Sequence, residues 1–201
     1  MGRIATLPRS ALQLAGYVHG ARAFTGPTTV QVDLTDACNQ RCIVCWLHAP
    51  TLAEKNADRL RRDASLPYDL FLTLLDDCKA LGTEEVYFAG GGEPLVYKRA
   101  WEALGETVKR GFTASLHTNF SLVGQEDVAR LLDLGVHHVT VSLWAGTEAA
   151  YERTHPGTDK GTFGTVTRRL AELNRRKVDR PQTKLYHVLT RENADDAGAM
   201  L

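Results

Sequence analysis

The chain has no excess of charge of either sign: Lys and Arg number 24 and Asp and Glu number 24. Split at residue 100, the balance is 11 against 11 and then 13 against 13, so neither half is a basic arm or an acidic tail. Extended contact with nucleic acid or with an anionic membrane surface is therefore not expected. Long apolar runs are missing too, with no stretch approaching the ~18 residues of a membrane span. Near the N-terminus, Ala11, Leu12, Leu14 and Ala15 follow Arg9, but Gln13 interrupts them and leaves no secretory h-region. Met1-Gly2 with Thr6 fits only the loose, short myristoylation pattern. Cysteine is scarce, at 4 in 201 residues, which excludes a disulfide scaffold and favours a reducing, cytoplasmic compartment. Gly and Pro together make 24 residues, too few for a collagen-like or low-complexity chain.

What is present is an ordinary globular composition, 43% hydrophobic and 24% charged, in a length that suits one domain or one domain with an appendage. Short β-rich runs alternate with helical periodicity, the pattern of a parallel sheet built from βα units. The strands are expected at Thr29–Leu34, Glu85–Ala89, Thr113–His117, His138–Leu143 and Lys184–Leu189. Between them, Tyr68–Leu81 places Phe71, Leu74, Leu75, Cys78 and Leu81 on one face, with Gly82 where a helix end favours a left-handed residue. Gly111 and Gly135 close the next two helices in the same way, and Phe163, Val166, Leu170 and Leu173 repeat the stripe. Strand starts near 85, 113 and 138 lie 25 to 28 residues apart, room for a strand, a three-turn helix and two short loops. This predicts an N-terminal helical extension over 1–28 and an α/β core over 29–201. The last unit, at Asn193–Leu201, ends on helix-like residues, so a truncated or partial chain is expected. Residues 50–66, with Lys55, Arg59, Arg61 and Arg62, read as an exposed, mobile loop. The run from Arg168 to Lys184 carries seven positive and two negative side chains and reads as the outward face of a helix.

Three cysteines carry the chemistry. Cys38, Cys42 and Cys45 form C-x3-C-x2-C directly after the first strand, and the loop leaving a strand's C-terminal end is where βα barrels place their active sites. Thiolates so close in sequence can converge on one metal centre. Iron–sulfur clusters commonly take four protein ligands, so three would leave one iron open to a small molecule. His48 extends the pattern to C-x3-C-x2-C-x2-H, which also reads as a structural Cys3His zinc site in a non-enzymatic interaction module. After the second strand stands Gly90-Gly91-Gly92-Glu93-Pro94. There glycines permit close backbone approach, a glutamate can hold an ammonium and a proline fixes the turn.

The two motifs, in this order and each at a strand end, resemble the radical S-adenosylmethionine (SAM) superfamily. Its C-x3-C-x2-C loop holds a [4Fe-4S] cluster on a partial (β/α)6 TIM-like barrel, and its G-G-E-P segment holds the amino group of SAM. The resemblance implies Cys38, Cys42 and Cys45 as cluster ligands and Gly91, Gly92, Glu93 and Pro94 as SAM-positioning residues. His117-Thr118-Asn119 looks like the family segment facing SAM, which brings in Thr118 and Asn119. Ser142, in Val141-Ser142-Leu143-Trp144-Ala145-Gly146, resembles the Ser-Leu-Asp-Gly segment of the branch with molybdopterin-precursor cyclases and SPASM-type peptide-modifying enzymes, whose serine contacts the SAM carboxylate or ribose. Arg153, and more weakly Lys160, are candidates to pair with that carboxylate.

The implied activity is reductive cleavage of SAM to a 5′-deoxyadenosyl radical that takes hydrogen from a peptide or small-molecule substrate. The electron comes from a donor such as flavodoxin or ferredoxin, and no side chain is assigned as a general base. A catalytically silent homologue that binds cluster and SAM is the third reading. Two departures stand out: Val44 occupies the position where the family usually has an adenine-contacting aromatic, with Trp46 following instead, and the sixth strand and any cysteine-rich extension are not in this chain. Cys78 is expected in the core, and His155-Pro156-Gly157 reads as a turn. Roles for His48, Trp46 and Trp144 are left open.

Overall fold

In a computed structural model, residues 7–52 and 64–200 are described. The expected loop cations Lys55, Arg59, Arg61 and Arg62, and Met1, Gly2 and Thr6, lie outside the described residues. The elements run α1 (Arg9–His19), β1 (Thr29–Val32), α2 (Tyr68–Ala80), β2 (Glu85–Phe88), α3 (Ala100–Lys109), β3 (Thr113–Thr118), α4 (Gln125–Leu134), β4 (His138–Ser142), α5 (Glu148–Thr154), α6 (Thr162–Arg176) and β5 (Gln182–Tyr186).

All five strands pair in parallel, in the order β1-β2-β3-β4-β5. A sequential order never reverses direction, so right-handed crossovers stack every connecting helix on one side of the sheet. That is half of a barrel wall, the α/β architecture of a partial TIM-like barrel. The alternation visible in the strands makes it work. Val86 and Phe88, Ala114 and Leu116, and Val139 and Val141 are fully buried and turned toward the helices. All but Ala114 meet Phe71, Leu75 and Cys78 of α2, Ala103 and Leu104 of α3, Leu131 of α4, and Val166, Leu170 and Leu173 of α6 in one cluster. Cys78 is thus a core residue, as its helix face predicted.

β1 stops at Val32, two residues short of the expected Leu34, and the larger differences from expectation sit at the second half. β5 covers Gln182–Tyr186 and not Lys184–Leu189, because Gln182 pairs level with His138 and Tyr186 with Ser142, so the strand ends where its neighbour ends. Beyond it the chain turns back: Asn193, fully buried, donates from Nδ2 to the carbonyls of Trp144 and Val188, both at 2.8 Å. The expected terminal helix is a 3-10 segment, Ala194–Met200. α5 has no counterpart in the sequence reading; at seven residues it offers too few turns for a periodic signal, although Thr147 caps its start by accepting from the N–H of Ala150. α1 buries none of its residues and is tied to the body through Arg9, whose guanidinium donates to the carbonyl of Gly26 at 2.9 Å.

Candidate functional site

The C-terminal ends of all five strands open on one cavity of about 580 Å³. β1 leads into Cys38, Cys42 and Cys45, β2 into Gly90–Glu93, β3 into Thr118 and Asn119, β4 into Ser142 and Trp144, and β5 ends with Tyr186 at the rim; all line it. Two of these connections leave their strands through non-glycine residues with left-handed backbone, Phe120 (φ 61°) and Trp144 (φ 53°). Both are buried, so packing holds them in a conformation that ordinary side chains disfavour.

The glycine segment lies directly against the stem of the cysteine loop. Asp33 accepts from the N–H of Gly91 at 3.2 Å, and Ala37 accepts from the N–H of Glu93 at 3.0 Å. A Cβ on Gly92 would stand 2.0 Å from the carbonyl oxygen of Ala37, and one on Gly91 would stand 2.5 Å from a carboxylate oxygen of Asp36. The close approach that demands glycine is therefore first of all chain against chain, locking the two motifs together. Pro94 opens a one-turn 3-10 helix, Pro94–Val96, and is buried behind the cavity rather than lining it.

Glu93 is 3% exposed and accepts three hydrogen bonds, from Thr118 Oγ1 at 2.6 Å, the Asn119 N–H at 2.7 Å and the Leu95 N–H at 3.2 Å. Burial pushes its carboxyl up to about 7, with the three donors pulling the other way. No cation faces it among the described salt bridges. A carboxylate fixed by neutral donors, buried and open to a cavity, can receive an ammonium group. Trp144 Nε1 is likewise buried at the cavity wall without a partner, a donor that an acceptor atom of a bound molecule would satisfy. Asn119 continues the frame, donating to Asn39 Oδ1 at 2.8 Å within the cysteine loop.

The cysteines suit a multi-iron centre. Burial pushes the thiols of Cys38 and Cys42 up to about 11 and about 12, with the neighbouring cysteines and Glu93 adding to the rise. Protons hold these sulfurs neutral until a metal replaces them. Among the described residues no three His, Cys, Asp or Glu side chains converge on the point a single ion would occupy. His48, the fourth ligand of the zinc reading, holds its Nε2 2.7 Å from the carbonyl of Asp36, a contact that leaves Nδ1 free and so favours neither reading. Thiolates that each bind a different iron of one cluster need not meet at one point.

Ser142, expected at SAM, lines the cavity, and so do Trp46 and His48, whose roles the sequence left open, Trp46 at 65% exposure. Arg153 is not brought there. Its guanidinium donates to the carbonyl of Glu192 at 2.7 Å and pairs with Asp195 at 2.9 Å, on the outer side of α5. Lys160 lines a separate, smaller pocket with Asn39 and Thr162. His155 is more than a turn residue: it is buried at 1% exposure and stacked on Tyr151 with ring centroids 4.1 Å apart. Residues that the sequence did not single out also line the cavity, namely Gln31, Gln40, Tyr87 and Tyr186. Tyr87 Oη lies 2.7 Å from His117 Nδ1, and Tyr186 packs edge-on against the same imidazole. Only strand register reveals that set.

The family model described as the radical SAM superfamily matches residues 32–201. The cofactor-modifying protein of the tungsten-containing aldehyde ferredoxin oxidoreductase of Pyrococcus furiosus is 34% identical over 113 residues, 56% of this chain and 29% of that protein. PqqA peptide cyclase of Rhodopseudomonas palustris is 31% identical over 130 residues, 64% of this chain and 32% of that protein. Among solved structures, Streptococcus suis SuiB bound to S-adenosylmethionine superposes with TM-score 0.70 at 15% identity, covering 95% of this chain and 40% of that one. The structure of anSMEcpe with bound AdoMet gives 0.65 at 16% identity, covering 85% of this chain and 44% of that one. These are likenesses of fold. The chain spans less than half the length of each of these proteins.

Proposed function

The chain belongs to the radical SAM superfamily, and from that premise we propose that it is the barrel portion of an enzyme in which Cys38, Cys42 and Cys45 hold a [4Fe-4S] cluster with one open iron and the adjoining wall holds SAM. The observation that carries this reading is the shared cavity, which the three sulfurs, the buried carboxylate of Glu93 and the unpartnered Trp144 Nε1 all border. When bound, cluster and SAM together supply one-electron cleavage of the sulfonium bond and a 5′-deoxyadenosyl radical for hydrogen abstraction.

The chain's own residues bind and orient. Glu93, steadied by Thr118 and the Asn119 N–H, receives the ammonium of the methionine moiety. Gly91 and Gly92 keep that wall pressed on the cysteine loop, with Pro94 fixing the turn behind it. Ser142 offers a hydroxyl to carboxylate or ribose. Arg153 is left out, since Asp195 and Glu192 engage it. The substrate is a polar peptide or small molecule, taken on the inner face of the sheet, where Gln31, Tyr87, His117 and Tyr186 present hydrogen-bonding groups. Neighbours of both kinds support this breadth: SuiB is solved with its precursor peptide SuiA, and BtrN with AdoMet and 2-DOIA. An external one-electron donor such as ferredoxin or flavodoxin completes the cycle. No described helix is long and apolar enough to cross a membrane.

Anaerobic reconstitution followed by metal analysis and low-temperature EPR tests the assignment. About four irons per chain, with a reduced signal that changes on adding SAM, is the expected outcome. About one zinc per chain, no sulfide and no response to SAM would overturn it.

A further inference from the structure

The three cysteine sulfurs are not equally served by hydrogen-bond donors. Cys38 Sγ accepts from the backbone N–H of Gln40 at 3.5 Å, and Cys45 Sγ accepts from the N–H groups of Leu47 and His48 at 3.4 and 3.2 Å. Cys42 Sγ, apart from its own N–H, is met by a side chain: the amide of Gln40, whose Oε1 lies 3.8 Å away. The other end of that amide is fixed, because Nε2 donates to Tyr151 Oη at 2.8 Å across 111 residues of sequence. Neither partner has room to drift. Gln40 is 3% exposed, Tyr151 is fully buried, and the Tyr151 ring is stacked on His155. The same helix end ties the loop again, with Thr154 accepting from the Ile43 N–H at 3.0 Å.

A glutamine amide clamped between a thiol and a phenol can stand in two orientations. In the structure Oε1 faces the Cys42 sulfur and Nε2 donates to the tyrosine, the orientation that suits a sulfur carrying a hydrogen. When the sulfur is a metal-bound thiolate it has no proton to give, and a carbonyl oxygen facing it is repelled. Turning the amide half a revolution about its last bond points N–H at the sulfur and Oε1 at the tyrosine hydroxyl, which donates as readily as it accepts. The heavy atoms barely move. We infer that Gln40, oriented by Tyr151, is a positioning residue that supplies an N–H···S hydrogen bond to the Cys42 ligand of the cluster and so sets its reduction potential. The inference rests on the proposed cluster at Cys38, Cys42 and Cys45. Hydrogen bonds to ligand sulfur favour the more negative, reduced cluster and raise its potential.

The test compares anaerobically reconstituted wild type, Gln40→Leu and Tyr151→Phe by iron content and by EPR-monitored redox titration, together with pulsed EPR of wild type carrying 15N in its glutamine side chains. The expected result is unchanged iron content with potentials lowered in both variants. The one-electron equilibrium should shift by threefold to tenfold, tenfold being 59 mV, and wild type should show a 15N coupling that Gln40→Leu lacks. Equal potentials and no 15N coupling in a loaded wild-type cluster would overturn the inference while leaving the cluster assignment standing. Failure of wild type to build any cluster would overturn both, and the two failures are told apart in the wild-type sample alone. Should Tyr151→Phe not fold, Gln40→Leu and the 15N coupling decide the matter.

Discussion

Along β2, Val86 and Phe88 face the helices and are fully buried, while Glu85 and Tyr87 face the other way and stay partly accessible. The contrast runs through the sheet. On the helix side the contacts are apolar and form one continuous cluster. On the inner side they are hydrogen bonds passed from strand to strand: Thr29 to Glu85 at 3.0 Å, Ser115 to Glu85, Ser115 with His138 Nδ1 at 2.9 Å, and Tyr87 with His117 at 2.7 Å. In a closed TIM barrel, layers of branched apolar side chains fill that interior. Here the inner face is polar and continuous with the cavity that the cysteines border, so consecutive residues of the same strands divide the work. One face holds the fold together, and the other prepares a chamber for chemistry.

The sharpest way to test that division is to remove chemistry without touching the fold. Cys42→Ala is expected to abolish cluster assembly, read by iron content, while leaving the unfolding free energy of the metal-free chain within about 1 kcal/mol of wild type, since it removes a single sulfur atom from the cavity wall. The converse is Phe88→Ala on the helix side, one residue from Tyr87. A cavity under the helices should cost about 3–5 kcal/mol in chemical denaturation, with full iron loading of whatever remains folded. Loss of iron in the folded fraction would erase the distinction between faces.

A third test lies at the rim, where α5 supports the cysteine loop. Burial holds His155 down to about 4 against an ordinary value of 6.5, so the folded chain keeps it neutral while the unfolded chain protonates it. The stability this contributes is fully present above about pH 6.5 and is lost as pH falls from there toward 4, an effect on the order of 3 kcal/mol. His155→Phe, which keeps a ring against Tyr151, should flatten that part of the stability–pH curve; an unchanged curve would contradict the burial argument. The smallest effect is expected on the inner face. Tyr87→Phe removes the hydrogen bond to His117 and should cost about 1 kcal/mol or less. A penalty approaching that of Phe88→Ala would mean that the inner face also carries the fold.

How much of this is legible in sequence depends on how local the signal is. The alternation in β2 and β4 and the glycines after α2, α3 and α4 are short-range patterns, and those elements stand where they were expected. β5 is displaced because most of its residues are exposed, leaving no alternation to phase it. At the site, Cys38, Cys42, Cys45 and Gly90–Glu93 are contiguous motifs and meet in space as motifs do. Tyr87, His117 and Tyr186 become neighbours only once the register is known. Gln40 and Tyr151 are joined by a single long-range hydrogen bond that no local pattern marks. Arg153 misled for the complementary reason: its distance along the chain allowed it to reach the site, but Asp195 and the Glu192 carbonyl on the returning segment hold it outside.

The central claim is that the cysteine loop and the Glu93 wall together form a site for SAM at a reducible cluster. Its most direct measurement is the quantity of 5′-deoxyadenosine formed from SAM by the anaerobically reconstituted, dithionite-reduced chain, set beside Cys45→Ala treated identically. The account predicts 5′-deoxyadenosine and methionine in equal amounts from wild type and none from the variant. Wild type that carries a full complement of iron and forms no 5′-deoxyadenosine, or a variant that matches it, would contradict the account.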